Sequence, residues 1–210
     1  GMSVSGNLYL VEGIGDGTVT LTDVKVDGNL YIKGGTKVDL SNVEVSGDII
    51  VVNDNAAVNI AGASTADNVF VEGSGVNVTL KADEEDSTKK PEIGKVVVDA
   101  SDAKTTINAG PSKVDVVVEG KGNTVALGDG TYGEVELKQE TKVEKTSDAK
   151  NVTIENLTKN EGDESTVSKD VTVKKTSTVD DKGEVETKDN DNKGNGGSQS
   201  SGSSYYDTNE

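Results

Sequence analysis

The sequence predicts an all-β chain wound as a right-handed parallel β-helix of about nine rungs. Three observations carry this: one short strand motif recurs with a period near twenty residues, every copy has the same two apolar positions, and the composition is rich in valine and glycine. Of the 210 residues only 31% are hydrophobic and 3% aromatic, too little for a thick globular core. Twenty-five glycines against two prolines favour short strands joined by tight turns.

VSGNLYL at 4–10, VDGNLYI at 26–32 and VSGDIIV at 45–51 open the series. Aligned on this motif, strands start at Leu8, Leu30, Ile49, Val69, Val96, Val116, Val135, Val152 and Val171. The spacings are 22, 19, 20, 27, 20, 19, 17 and 19 residues, and the long one contains a polar insertion, DEEDSTKKPE at 83–92. Two residues after each start comes a second apolar residue: Leu10, Ile32, Val51, Val71, Val98, Val118, Leu137, Ile154 and Val173. These pairs predict the inward positions of each rung, since alternate residues of a strand share a face.

A second alternating strand follows, with Val19 and Leu21, Val38 and Leu40, Val58 and Ile60, Val78 and Leu80, then Val125 and Leu127. The first units add a third, Val24 with Val26 and Val43 with Val45, which the late units lose. Such a rung cannot bury its apolar edge alone, but stacked rungs share a narrow Val, Ile and Leu core. At ~4.8 Å per strand, nine rungs make a rod on the order of 40 Å long. An antiparallel sandwich has no reason to repeat one residue class in one column, and the fixed Leu and Asn pattern of leucine-rich repeats is missing. The β-helix is therefore placed at 4–179. Residues 180–210, rich in Gly, Ser, Asn and Asp, read as a linker or tail, with Tyr205 and Tyr206 opening a next segment. Entry into the first strand without a lead-in suggests a chain cut from a longer protein.

The residue before each start is Asn7, Asn29, Asp48, Asn68, Lys95, Asp115, Glu134, Asn151 or Asp170, preceded in five units by Gly6, Gly28, Gly47, Gly94 or Gly133. A row of carboxylates could bind metal. A stacked turn explains amides and carboxylates alike, with glycine supplying positive φ, and is the preferred reading. The outward position of the first strand reads Tyr9, Tyr31, Ile50, Phe70, Val97, Val117, Glu136, Thr153 and Thr172. Its apolar part is either a contact surface anchored by Tyr9, Tyr31 and Phe70, or a stack that stabilises the sheet; the second reading has the edge. The outward column of the second strand, from Thr18 and Thr20 through Lys37 and Asp39 to Asn77 and Thr79, is too mixed for an ice-binding array and reads as a solvated face.

Charge and residue types exclude much. Net charge is −17 and all 21 cations are lysine, which argues against nucleic acid and anionic lipid as partners. No apolar run is long enough to insert directly into a membrane. Without His or Cys, the common catalytic triads and thiolate metal sites cannot form, and without Arg no guanidinium can clamp an anion. GIGDGTV at 13–19 resembles half of a calcium-binding nonapeptide turn but occurs once, and the acidic run 83–86 reads as solvated; no cofactor or metal is expected.

The succession TVTLTDVKVDGNLYIKGGTKVDLSNVEVSGDIIV, DNVFVEGSGVNVTL, further valine strands and a Gly/Ser-rich exit resembles the right-handed β-helix regions of Gram-positive cell-surface proteins. Such regions often accompany S-layer homology modules. The resemblance covers most of residues 4–175 and implies export and display on the cell envelope. The expected function is a noncatalytic extracellular spacer or adhesion module, with a cell-envelope polysaccharide or surface protein as partner. The alternative is a polysaccharide lyase or hydrolase of the pectate-lyase kind, although this chain lacks the arginine base those lyases usually employ.

Overall fold

The computed structural model describes residues 1–190 as a parallel β-solenoid. Two sheets run its length, one of 13 strands and one of eight. Each rung contributes a strand to the first sheet, one to the second, and a return strand to the first; in the second rung these are Leu30–Ile32, Lys37–Ser41 and Glu44–Val45. Among the described residues the one helical element is a single 3-10 turn, Glu12–Ile14.

The register of the first sheet stacks Leu8, Leu30, Ile49, Val69, Val96, Val116, Val135, Leu157 and Thr176. Seven of the nine expected starts fall in this column, and the last two are corrected. Val152 pairs with Gly130, and Ile154 with Tyr132 and Val173. These residues belong to the return column, which persists to the end of the rod and does not disappear as expected. It fuses with the first strand of the next rung, giving continuous strands such as Val152–Asn160 and Thr172–Val179. The alternation VTI at 152–154 imitates a rung opening, and no glycine at position 155 marks the corner before Leu157.

The second sheet stacks Val19, Val38, Val58 and Val78, with Leu21, Leu40, Ile60 and Leu80 beside them. Below Val78 the register moves by two residues. Val78 pairs with Ile107 and Ile107 with Leu127, while Thr105 pairs with Val125. The strand Lys104–Asn108 escapes the apolar pattern because Thr105 takes an inward place. Its side chain is fully buried, and Oγ1 has no hydrogen-bond partner among the described residues.

The interior is a single cluster of apolar side chains extending from Leu10 to Val171, with most members fully enclosed. Tyr132 is its one aromatic, enclosed between Val114 and Ile154. Its hydroxyl donates to the Ile107 carbonyl at 2.7 Å, and burial pushes its pKa well above the ordinary value. Corners between the second sheet and the return strand stack Asp23, Asn42 and Gly62 in the left-handed region, with φ of 53°, 53° and 64°. Asn42 and Gly62 donate their N–H groups to Ala61 and Lys81 of the following rung. Sequence reading assigns 180–210 to a tail, but Val185–Asp189 forms an antiparallel strand on Thr172–Val179. Tyr205 and Tyr206 lie outside the described residues.

Candidate functional site

The corner residues explain the repeated Gly-Asn pair. Asn7 Oδ1 accepts the backbone N–H of Asn29 at 2.8 Å, and Asn29 Oδ1 accepts that of Asp48 at 3.0 Å. Asp48 Oδ1 accepts from the Asn68 amide at 2.9 Å, and Asp115 Oδ1 from the Glu134 N–H at 2.8 Å. The oxygens of Asn7, Asn29 and Asp115 thus bond the next rung across the space where a Cβ on the residue before each donor would stand. A Cβ on Gly28, Gly47 or Gly133 would lie 2.3, 2.1 or 2.2 Å from the ladder oxygen above it. Of the five glycines expected to supply positive φ, only Gly6 does, at 93°. In Gly28, Gly47 and Gly133 the close approach of the ladder is the reason for glycine, while at Gly94 it is the Asp67 backbone carbonyl, 2.3 Å from where a Cβ would stand. Because Val152 and Val171 leave the first-strand column, the ladder positions of the last two rungs are Asn156 and Lys175 rather than Asn151 and Asp170.

The outward column begins as expected and ends differently: below Glu136 come Thr158 and Ser177, replacing Thr153 and Thr172. Tyr9 and Tyr31 stack with ring centroids 4.7 Å apart and planes 7° from parallel. Their hydroxyls accept from Asn7 and Asn29 Nδ2 at 3.2 and 3.4 Å, which ties the aromatic column to the corner ladder. Lys33 Nζ lies 6.0 Å from the Tyr9 ring centre. Tyr9 is 49% exposed, Tyr31 and Phe70 are half-buried, and Ile50, Val97 and Val117 are buried although they face away from the core. The stack therefore covers ring faces that a flat binding platform would present. Its exposed apolar surface is concentrated at Tyr9.

A second place on the surface joins the start of the polar insertion to the outward column of the second strand, neither of which the sequence reading assigns to a site. Residues 82–85, which follow the strand Asn77–Lys81, stand against the outer face of the second sheet. Between them lies a groove of about 450 Å³ lined by Lys37, Asp39, Ser41, Asn59, Lys81 and Glu84, among others. Cross-strand register sets the floor, aligning Asp39 with Asn59 and Ser41 with Ala61 and Lys81. Asn59 Nδ2 donates to Asp39 Oδ1 at 2.7 Å, and Lys37 Nζ sits 2.8 Å from Asp39 Oδ2. Desolvation works to raise the Asp39 pKa, but the hydrogen bonds from Lys37 and Asn59 outweigh it and hold the carboxyl below its ordinary range. The column reads in sequence as a solvated face; the missing signal is the path of the insertion, which repeat spacing cannot encode.

Two of the four acidic residues of the run 83–86, Asp83 and Asp86, are committed to their own loop. Asp83 Oδ1 accepts the N–H groups of Glu85 and Asp86, both at 2.9 Å, and Asp86 Oδ1 accepts from the Thr88 hydroxyl. In the 13–19 segment the Asp16 carbonyl accepts from Thr36 Oγ1 at 2.9 Å. Among the described residues no three His, Cys, Asp or Glu side chains gather as a metal site, and no helix is long and apolar enough to cross a membrane. Comparison with protein families, curated proteins and solved structures finds no match to this chain.

Proposed function

We propose that the chain is a noncatalytic extracellular module of a bacterial cell-surface protein, acting as a rigid spacer with adhesive contacts to envelope polysaccharide or surface protein. The observation that carries this reading is the unbroken stack of the first sheet, in which every rung from Leu8 to Thr176 pairs with its neighbour. A rod built this way has a continuous apolar interior and keeps its two ends at a fixed separation. Location is drawn from the resemblance of the repeat to surface-displayed β-helices. Two carboxylates on the outer face of the second sheet are engaged in ion pairs and hydrogen bonds: Asp39 lies between Lys37 and Asn59, and Glu144 between Lys104 and Lys142.

Purified chain incubated with insoluble Gram-positive cell-wall material tests this role. Co-sedimentation without release of reducing ends or unsaturated sugar is expected. Release of either would establish the lyase or hydrolase alternative, and failure to sediment would leave spacing as the function.

A further inference from the structure

The groove beside residues 82–85 has a lining that suits one class of ligand. Its floor lies on interior strands of the eight-stranded sheet, so no free sheet edge is available for backbone pairing with a peptide. The middle strand presents Ala57, Asn59 and Ala61 on its outer face, so that Asn59 stands between two small residues. Asn59 is oriented by its bond to Asp39, which leaves its amide oxygen with no donor among the described residues. Lys81 makes no ion pair among them, and Ser41 and Glu84 likewise hold side-chain oxygens outside any hydrogen bond there. The groove thus gathers donors and acceptors from the sheet and from the loop in one lining, without an aromatic residue. A chain of −17 net charge disfavours a polyanion. Alternating hydroxyl groups, each both donor and acceptor, match such a lining.

We propose that this groove binds a short, neutral saccharide through Asn59, Lys81 and Glu84. The proposal rests on the reading of the chain as an adhesive module and gives that module a site. Titration of the whole chain with neutral cello-, xylo-, malto- and chitin-derived oligosaccharides, followed by NMR and calorimetry, is the test. Saturable binding of at least one of them is expected, weakened about tenfold by Asn59→Ala through loss of a hydrogen-bonding partner. Ala61→Arg, which fills the floor, should weaken it as much, while Tyr31→Ala on the other sheet leaves it unchanged; circular dichroism melts confirm that each variant folds. No binding of any neutral oligosaccharide overturns the proposal, as does binding lost in Tyr31→Ala but kept in Asn59→Ala. If wall material still sediments with a groove variant as well as with the unaltered chain, the adhesive role stands and the groove assignment falls.

Discussion

The first three rungs and the last three share one column plan but are held together differently. At the start, Leu8, Leu30 and Ile49 stack above one another with Leu10, Ile32 and Val51 beside them, and Gly-Asn or Gly-Asp corners separate short strands. At the end the same columns read Val135, Leu157 and Thr176, and Leu137, Lys159 and Thr178. The corners there are Gly133-Glu134, Glu155-Asn156 and Lys174-Lys175, and strands pass through them without a break. The outward column changes from Tyr9, Tyr31 and Ile50 to Glu136, Thr158 and Ser177, where Thr158 donates to Glu134 and Ser177 to Asn156. Burial dominates one region and hydrogen bonding of backbone and small polar side chains the other. The polar rungs are covered at their edge by the antiparallel strand Val185–Asp189, whose residues are all exposed. A charged, short, antiparallel strand blocks further parallel stacking and keeps the edge soluble.

Equivalent substitutions in one column should break this contrast most strongly. Ile32→Ala removes a fully buried side chain and should cost ~2–5 kcal/mol in urea unfolding, whereas Thr176→Ala, half-buried in the last rung, should cost under ~0.5 kcal/mol. Equal losses would mean that burial does not separate the two regions. Gly47→Ala should cost ~1–3 kcal/mol by pushing Asn29 Oδ1 off the Asp48 N–H, and a second change, Asn29→Ala, should relieve the steric part. Thr105→Val should raise stability by ~1 kcal/mol, because it replaces a buried hydroxyl without a partner by a methyl group of similar size.

The smallest effect is that of pH. Asp39 and Glu144 have carboxyls held below their ordinary values of 3.8 and 4.5, on balance by hydrogen bonds from lysines, with Asn59 adding to the effect at Asp39. Folded-state depression means that these groups bind protons more readily when unfolded. Their stabilisation is therefore complete above those ordinary values and is lost as pH falls through the lower folded ones. Urea midpoints should fall below pH 4.5 and be flat from there to neutrality as far as these two groups are concerned, with Asp39→Asn reducing the drop. A midpoint rising on acidification would contradict the sign.

Most of the fold was legible because a solenoid writes its register directly as repeat spacing. Leu8 through Val135 could be aligned by apolar class alone, since each must lie on the next. Local pattern misleads where it parts company with tertiary register. VTI at 152–154 has the alternation of an opening strand, yet Leu157 carries the column because the corner is made by Glu155 and Asn156 instead of a Gly-Asn pair. Thr105 concealed a whole strand by being polar inside. Glycine was located correctly but for another reason: its role depends on a side chain one rung away, about twenty residues distant in sequence. Tyr9, Tyr31 and Phe70 were legible as one outward column, while the hydrogen bonds of the two tyrosines to the corner ladder and the groove beside 82–85 depend on side-chain and loop paths that spacing does not specify.

The absence of cysteine from the chain makes the strand register directly measurable. The pairing places Glu136 beside Thr158, on strands about 4.8 Å apart, within disulfide reach. The double variant Glu136→Cys with Thr158→Cys should form an intramolecular disulfide under mild oxidation, whereas Glu136→Cys with Thr153→Cys should not. Cross-linking of the second pair and not the first would place Val152 under Val135 and contradict the structure described above.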